Sequence, residues 1–275
     1  MTVHMRPFRP ADIPAGKALS DAENWPPRIA DWEFHLARSE GVALEEDGRV
    51  LACTLTTPLG PDVGGISNVL VDRAARGRGL GRRAVEGAME LAAGRELRLW
   101  ATAEGRPLYE KLGFAAEGEV LQLQGVLARA PRAPVLGAVG LGPDALAEIC
   151  ALDRRHFQAD RRQTIAAFLA NPEAEAIGVR GPDGLTAWAA RRPFGFGEEI
   201  GPVIAGDAET AAALVAKLMQ GRAGRYLRVD ADGDGAFAAA VQGFGLPCMS
   251  RVTFMRRGAR TPRPTVFGLS DQGIG

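Results

Sequence analysis

Sliding this chain of 275 residues against itself by 130 positions sets Leu97-Arg98-Leu99-Trp100-Ala101 over Leu227-Arg228-Val229-Asp230-Ala231, and Gly113-Phe114 over Gly243-Phe244, without a gap. A repeat of this kind means one design folded twice. In each copy alternating apolar residues (Leu97, Leu99 and Ala101; Leu227, Val229 and Ala231) mark a strand, and a short helix then ends at a glycine suited to the C′ position. Upstream of each lies another strand followed by an alanine-rich amphipathic helix: 66–71 with 81–93, and 200–205 with 209–220. Ala128 to Pro134 holds two prolines and no apolar periodicity, so it reads as the linker. The expected organisation is residues 1–127, a linker over 128–134, a second unit over 135–258, and a tail over 259–275. Rich in Pro and Gly, that tail is expected to be extended and packed on the surface, or partly disordered.

Composition narrows the class. Lys+Arg and Asp+Glu both count 33, which argues against a general nucleic-acid binder, since phosphate-backbone affinity needs a basic excess. No apolar stretch approaches the roughly 20 residues of a membrane helix. Cys53, Cys150 and Cys248 are scattered and no signal peptide precedes the first strand, so a reducing cytoplasm is the expectation. His4, His35 and His156 lack ligand spacing, and no metal is expected. Residues 230–235 look like a calcium loop, but position twelve is Val241, where a bidentate Glu is required.

Residues 68–83 join an apolar strand to a Gly/Arg-rich turn and then to a helix. N–H groups at a helix N-terminus point outward unpaired, and small residues let a phosphate approach them. Arg76, Arg78 and Arg82 add guanidinium donors suited to a diphosphate. The spacing is neither that of a nucleoside-triphosphate loop nor a full dinucleotide fingerprint. Arg76-Gly77-Arg78-Gly79-Leu80-Gly81 instead resembles the [QR]-x-x-G-x-[GA] signature of the GNAT N-acetyltransferase superfamily. Pro107-Leu108-Tyr109-Glu110-Lys111-Leu112-Gly113-Phe114 resembles that superfamily's second signature, the helix ending in Y-x-x-x-G-F.

The resemblance implies an α/β fold of the α+β type: two GNAT-like domains, each a mixed, mostly antiparallel sheet flanked by helices. A splay between strands 66–71 and 96–102 would admit acetyl-CoA as co-substrate. Its pantetheine would pair with main-chain groups of Val69, Leu70 and Val71, and its pyrophosphate would sit over Arg76, Gly77, Arg78, Gly79, Leu80, Gly81 and Arg82. Gly79 and Gly81 are expected to reject side chains. N–H groups near Leu70 and Val71 are candidates to steady the oxyanion. Tyr109, a phenol of pKa about 10, is the candidate donor to the leaving thiolate, or else it simply packs. The Asn that many members use to bond pantetheine has no counterpart in Thr102-Ala103-Glu104-Gly105-Arg106.

Trp25, Ser67 and Asn68, with Trp32, are candidate acceptor-site residues. No general base stands out: Asp21, Glu23, Asp31 and Glu33 lie in the expected acceptor wall, but a solvated carboxylate explains each. Asp160-Arg161 either reaches that site or ties down a helix. The second copy reads Ala205-Gly206-Asp207-Ala208-Glu209 where the loop belongs, and Ala239 falls on Tyr109. It therefore resembles the degenerate C-terminal domain of tandem acetyltransferases whose N-terminal domain is intact. Three functions follow: acetyl transfer to the primary amine of a small molecule by direct attack in a ternary complex, acetylation of a protein or peptide, or a non-catalytic acyl-CoA sensor. Neither nucleic acid nor membrane is an expected partner, and a homodimer stays open.

Overall fold

A computed structural model describes residues 2–25, 28–132 and 137–275. The first half runs β1 (His4–Pro7), α1 (Ile13–Ala22), α2 (Ile29–Leu36), β2 (Glu40–Glu46), β3 (Arg49–Pro58), β4 (Val63–Val71), α3 (Leu80–Leu91), β5 (Glu96–Ala101), α4 (Arg106–Lys111) and β6 (Ala115–Val126). The second runs β7 (Val139–Gly140), α5 (Leu146–Phe157), α6 (Arg162–Ala170), β8 (Glu175–Gly181), β9 (Gly184–Phe194), β10 (Gly197–Ile204), α7 (Ala208–Leu218), β11 (Tyr226–Asp232), α8 (Ala236–Gly243) and β12 (Cys248–Arg257). The order of strands and helices is the same in both. Of the expected linker, residues 133 and 134 lie outside the described residues, as do 135 and 136 of the second unit.

The two sheets are joined into one. Strand order is β1-β2-β3-β4-β5-β12-β6-β11-β10-β9-β8-β7, so the last strand of each half is inserted beside the other half. β12 pairs antiparallel with β5, Thr253 opposite Ala101 and Arg257 opposite Leu97. β6 pairs antiparallel with β11, Val120 opposite Asp232 and Val126 opposite Tyr226. Units that are contiguous in sequence are therefore interleaved in space. Alternation in Leu121 and Leu123 marks β6 as a strand with a buried face, but nothing local names its neighbours.

The tail departs from its expectation. Val266, Leu269, Ser270, Asp271 and Ile274 are all buried. Glycine and proline made this segment irregular without making it external, because its apolar residues are still driven inward. Its root is fixed by Glu96, which is fully buried and accepts from Arg98 Nε at 2.8 Å and from the N–H groups of Arg260 and Thr261 at 2.7 and 2.9 Å. Arg98 then donates to the carbonyls of Phe157 and Gln158 at 2.7 and 3.0 Å, fastening α5 to β5.

Burial alone raises the Glu96 carboxyl, but these donors more than offset it and hold it down to about 2 from an ordinary 4.5. In the folded chain Glu96 thus keeps its charge where the unfolded chain takes up a proton. Its stabilisation is complete above pH 4.5 and is lost as pH falls toward 2. Urea titrations across that window should show stability falling by a few kcal/mol in wild type, with a shallower slope in Glu96→Gln. An identical slope in the variant removes Glu96 from the account.

Candidate active site

β4 and β5 are parallel neighbours only from Val63 to Gly65, opposite Glu96 to Arg98. Beyond that they diverge, giving the splay expected from the family resemblance. Midway along β4 the register with β3 slips by one residue: Leu55 faces Ser67, but Cys53 faces Leu70. The extra residue is Asn68, in the left-handed region at φ 51°, and such a bulge re-aims the chain around it. Asp72 N–H donates to Leu51 carbonyl at 2.8 Å, which fixes the alternation after the bulge. Leu70 directs its main-chain groups at β3, whereas Val69 and Val71 direct theirs into the splay. The main-chain groups of Leu70 thus point away from the splay where the pantetheine and oxyanion contacts were expected.

Past β4, Gly77 and Gly79 adopt φ of 79° and 75°, and a Cβ on either meets no atom within 4 Å. Only glycine reaches this backbone without strain. Gly81 differs: its φ is not left-handed, and a Cβ there makes ordinary contact with Val71 and Leu108 at 3.4 and 3.6 Å. Helix α3 begins at Gly79, which has no side chain to cap it. Among the described residues, the N–H groups of Gly77 through Arg82 donate to no protein acceptor. An open, glycine-lined row of free donors at the positive end of a helix fits a pyrophosphate. Arg76 pairs with Glu23 at 2.5 Å, Arg78 with Glu46 at 2.7 Å and Arg82 with Glu86 at 2.8 Å, all exposed.

The Y-x-x-x-G-F segment has a mechanical basis. Gly113, at φ 83°, ends α4 with its N–H donating to the carbonyl of Glu110 and Phe114 N–H donating to that of Tyr109, both at 3.0 Å. This reversal folds Phe114 onto the Tyr109 ring, centroids 6.0 Å apart. Tyr109 shares an apolar cluster with Ile66, Leu99 and Ala101, and Val69 packs on it, so the ring stands beside the splay. Burial pushes its hydroxyl well above the ordinary phenol value, so it stays protonated at neutral pH. Among the described residues that hydroxyl has no hydrogen-bond partner.

On the opposite face of β4, Ser67 is buried and its hydroxyl has no partner among the described residues. Trp25 is half-buried against the cluster that contains Trp32, and Trp32 itself is core, stacked on Phe8 at 5.7 Å. Asp31 is engaged structurally: it accepts from Arg28 and Gly195 N–H groups at 2.7 and 3.0 Å. Glu23 holds Arg73 and Arg76, and Asp21 pairs with Lys17. Arg161 is tied down by Asp153 through two bonds of 2.6 and 3.0 Å, and by Ser270. Among the described residues no group of three potential metal ligands occurs, and no helix is long and apolar enough to cross a membrane.

The second half shows the same splay, filled. β10 and β11 pair only at Glu198 and Glu199, opposite Leu227 and Arg228. Into the gap beyond runs the tail. Val203 N–H donates to the Gly268 carbonyl, and the Val203 carbonyl accepts from Phe267 N–H, both at 3.0 Å. On the other wall, Asp232 N–H donates to Phe267 and Leu269 N–H donates to Asp230, both at 2.9 Å. Laying 200–205 over 66–71 places Val203 on Val69, the residue whose main chain faces the open splay. A Cβ on Gly201 collides with the Leu269 carbonyl. Helix α7 is capped as α3 is not: Asp207 accepts from Thr210 N–H at 2.7 Å. Sequence reasoning found the missing arginines but missed the plug, whose signal was the apolar residues at 266, 267, 269 and 274.

Comparison with known proteins agrees with this geometry. The description "Acetyltransferase (GNAT) family" matches residues 6–114, and "Acetyltransferase (GNAT) domain" matches residues 149–268. YitH of Bacillus subtilis (strain 168), described as an uncharacterized N-acetyltransferase, is 30% identical over 169 residues, 60% of this chain. The matched stretch spans 59% of YitH. A Pyrococcus horikoshii protein classed with the acetyltransferases shares the fold at TM-score 0.85 and 19% identity, over 99% of this chain and 96% of that one. A tandem GNAT protein from the clavulanic acid biosynthesis pathway shares it at TM-score 0.63 and 15% identity, over 93% and 98%. With a GNAT match in each half and the splayed strand pair in both, the chain belongs to the GNAT acetyltransferases as a tandem of two such domains.

Proposed function

We propose that this chain transfers an acetyl group from acetyl-CoA to a primary amine of a small molecule, and that only its first half binds the cofactor. The observation that carries this reading is the contrast between the two splays. One has free donors at an uncapped helix and an open cleft, whereas its counterpart has a capped helix and a cleft holding the chain's own tail. Acetyl-CoA supplies an activated thioester. Val69 and Val71 offer main-chain groups to hold its arm, and the N–H row from Gly77 to Arg82 meets the diphosphate. Arg76 and Arg78 exchange exposed carboxylate partners for phosphate, and because water and salt screen such surface pairs the exchange costs little. An N–H facing the splay steadies the charge that gathers on the carbonyl oxygen as the amine attacks; as the C–N bond forms and the C–S bond breaks, the nitrogen gives its proton to solvent water, Tyr109 delivers one to the departing sulfur, and solvent reprotonates the phenol.

A small acceptor is favoured over a protein because the start of α6 in the second half packs beside the acceptor face, where residues of both halves wall a cavity of about 400 Å³. Calorimetry with acetyl-CoA should give one site per chain, weakened at least roughly tenfold in Arg76→Ala/Arg78→Ala. Two sites, or none, overturn the reading. Binding without thiol release across a panel of amines identifies a sensor instead.

A further inference from the structure

The cavity between the halves is walled by Arg38, Thr57, Gly60, Asp160, Arg162 and Thr164. It lies on the acceptor face of the sheet. Thr57 and Leu55 share that face, and Leu55 packs with Trp32 of α2, whereas Thr56 turns the other way to bond Ala88 of α3 at 3.2 Å.

Its charge is unbalanced. Arg38 is half-buried over the Phe34 ring at 3.9 Å and donates to the carbonyls of Phe34 and Gln163. Among the described residues neither Arg38 nor Arg162 has a carboxylate partner. Asp160 is already held by Arg154 at 2.6 Å and by Arg162 N–H at 2.9 Å. The first turn of α6, nine residues long, points into the space, and the N–H groups of Gln163 and Thr164 donate to no protein acceptor among the described residues. Thr164 is 97% buried, lines the cavity, and its hydroxyl has no partner there. Two guanidinium groups, a free hydroxyl and a helix N-terminus thus converge on a space with no free anion in its wall.

We infer that this cavity binds an acidic group, carboxylate or phosphate, carried by the acceptor amine. The inference rests on the acetyltransferase reading for the word acceptor, but not for the binding itself. Thr57 faces Gly65, and the bulge at Asn68 lies three residues further along β4, about 10 Å at 3.3 Å per residue. The partnerless hydroxyl of Ser67 lies on that path. The acceptor is then an amine whose nitrogen and acidic group stand roughly 10 Å apart.

Calorimetric titration with glutarate and with inorganic phosphate separates the two chemistries. The expected result is one saturable site for at least one probe, weakened roughly tenfold or more in Arg162→Ala and in Arg38→Ala, and retained in Arg76→Ala/Arg78→Ala. Arg162 is exposed, so its variant keeps the fold intact even if Arg38→Ala does not. If neither probe saturates, or binding survives Arg162→Ala, the inference fails. Loss of binding in Arg76→Ala/Arg78→Ala alone assigns the anion to the α3 loop and also overturns it. Failure of the chain to bind acetyl-CoA defeats the acetyltransferase reading while leaving this titration readable.

Discussion

Deleting residues 266–275 should abolish cooperative folding of the whole chain, although the segment has almost no regular secondary structure. Val266, Leu269 and Ile274 leave the core, each worth about 1.5–3 kcal/mol of burial. The deletion also takes Asp271, whose carboxylate pairs with Arg192 and lies 3.1 Å from His35. Burial alone would raise that carboxyl, but His35, Arg192 and the Gly273 N–H hold it well below the usual range. Arg192 then loses its nearest counter-ion and keeps only the longer contacts to Glu199 and Asp31 at 3.7 and 4.0 Å; removing one partner of a buried ion pair costs up to about 3–5 kcal/mol. Arg161 loses Ser270 and the main-chain oxygen of Gly275. Together these losses rival the roughly 5–15 kcal/mol that hold an ordinary domain together. Thermal melts followed by circular dichroism test this, and a cooperative transition within a few degrees of the full chain's would sink it.

Replacing Tyr109 by Phe should lower kcat by about 10²- to 10⁴-fold, the usual worth of a positioned proton donor. Affinity for acetyl-CoA should be unchanged, because the ring stays packed on Phe114 and only an oxygen is removed. Stability should change little for the same reason, since among the described residues that oxygen bonds to nothing. Thiol-release kinetics, calorimetry and a melt on the same preparation separate these effects. A kcat within twofold of wild type means that Tyr109 only packs.

What the sequence made legible was local. The row from Gly77 to Arg82 and the turn from Tyr109 to Phe114 are contiguous, and their glycines carry the backbone geometry that defines them. The direction of Leu70's main chain was not legible because one extra residue at Asn68 inverts the alternation beyond it, and a bulge has no strong sequence signature. The tail was misplaced because Pro and Gly report irregularity, which is a different property from exposure. The acceptor-side cavity was illegible in principle. Arg38 and Arg162 belong to different halves, and nothing near either shows that the other faces it.

The strands β6 and β12 carry one further meaning. Each half, taken alone, lacks the ribbon that seals its sheet and gets it from its twin, as two identical molecules would in a domain-swapped pair. The covalent connection turns that partnership into an intramolecular one, independent of concentration. A half severed from the chain would expose raw strand edges at β5 and β6, which are templates for aggregation. The half whose splay holds the tail also supplies β12, which backs β5 on the side away from the open splay, so one wall of that splay is braced by the other copy.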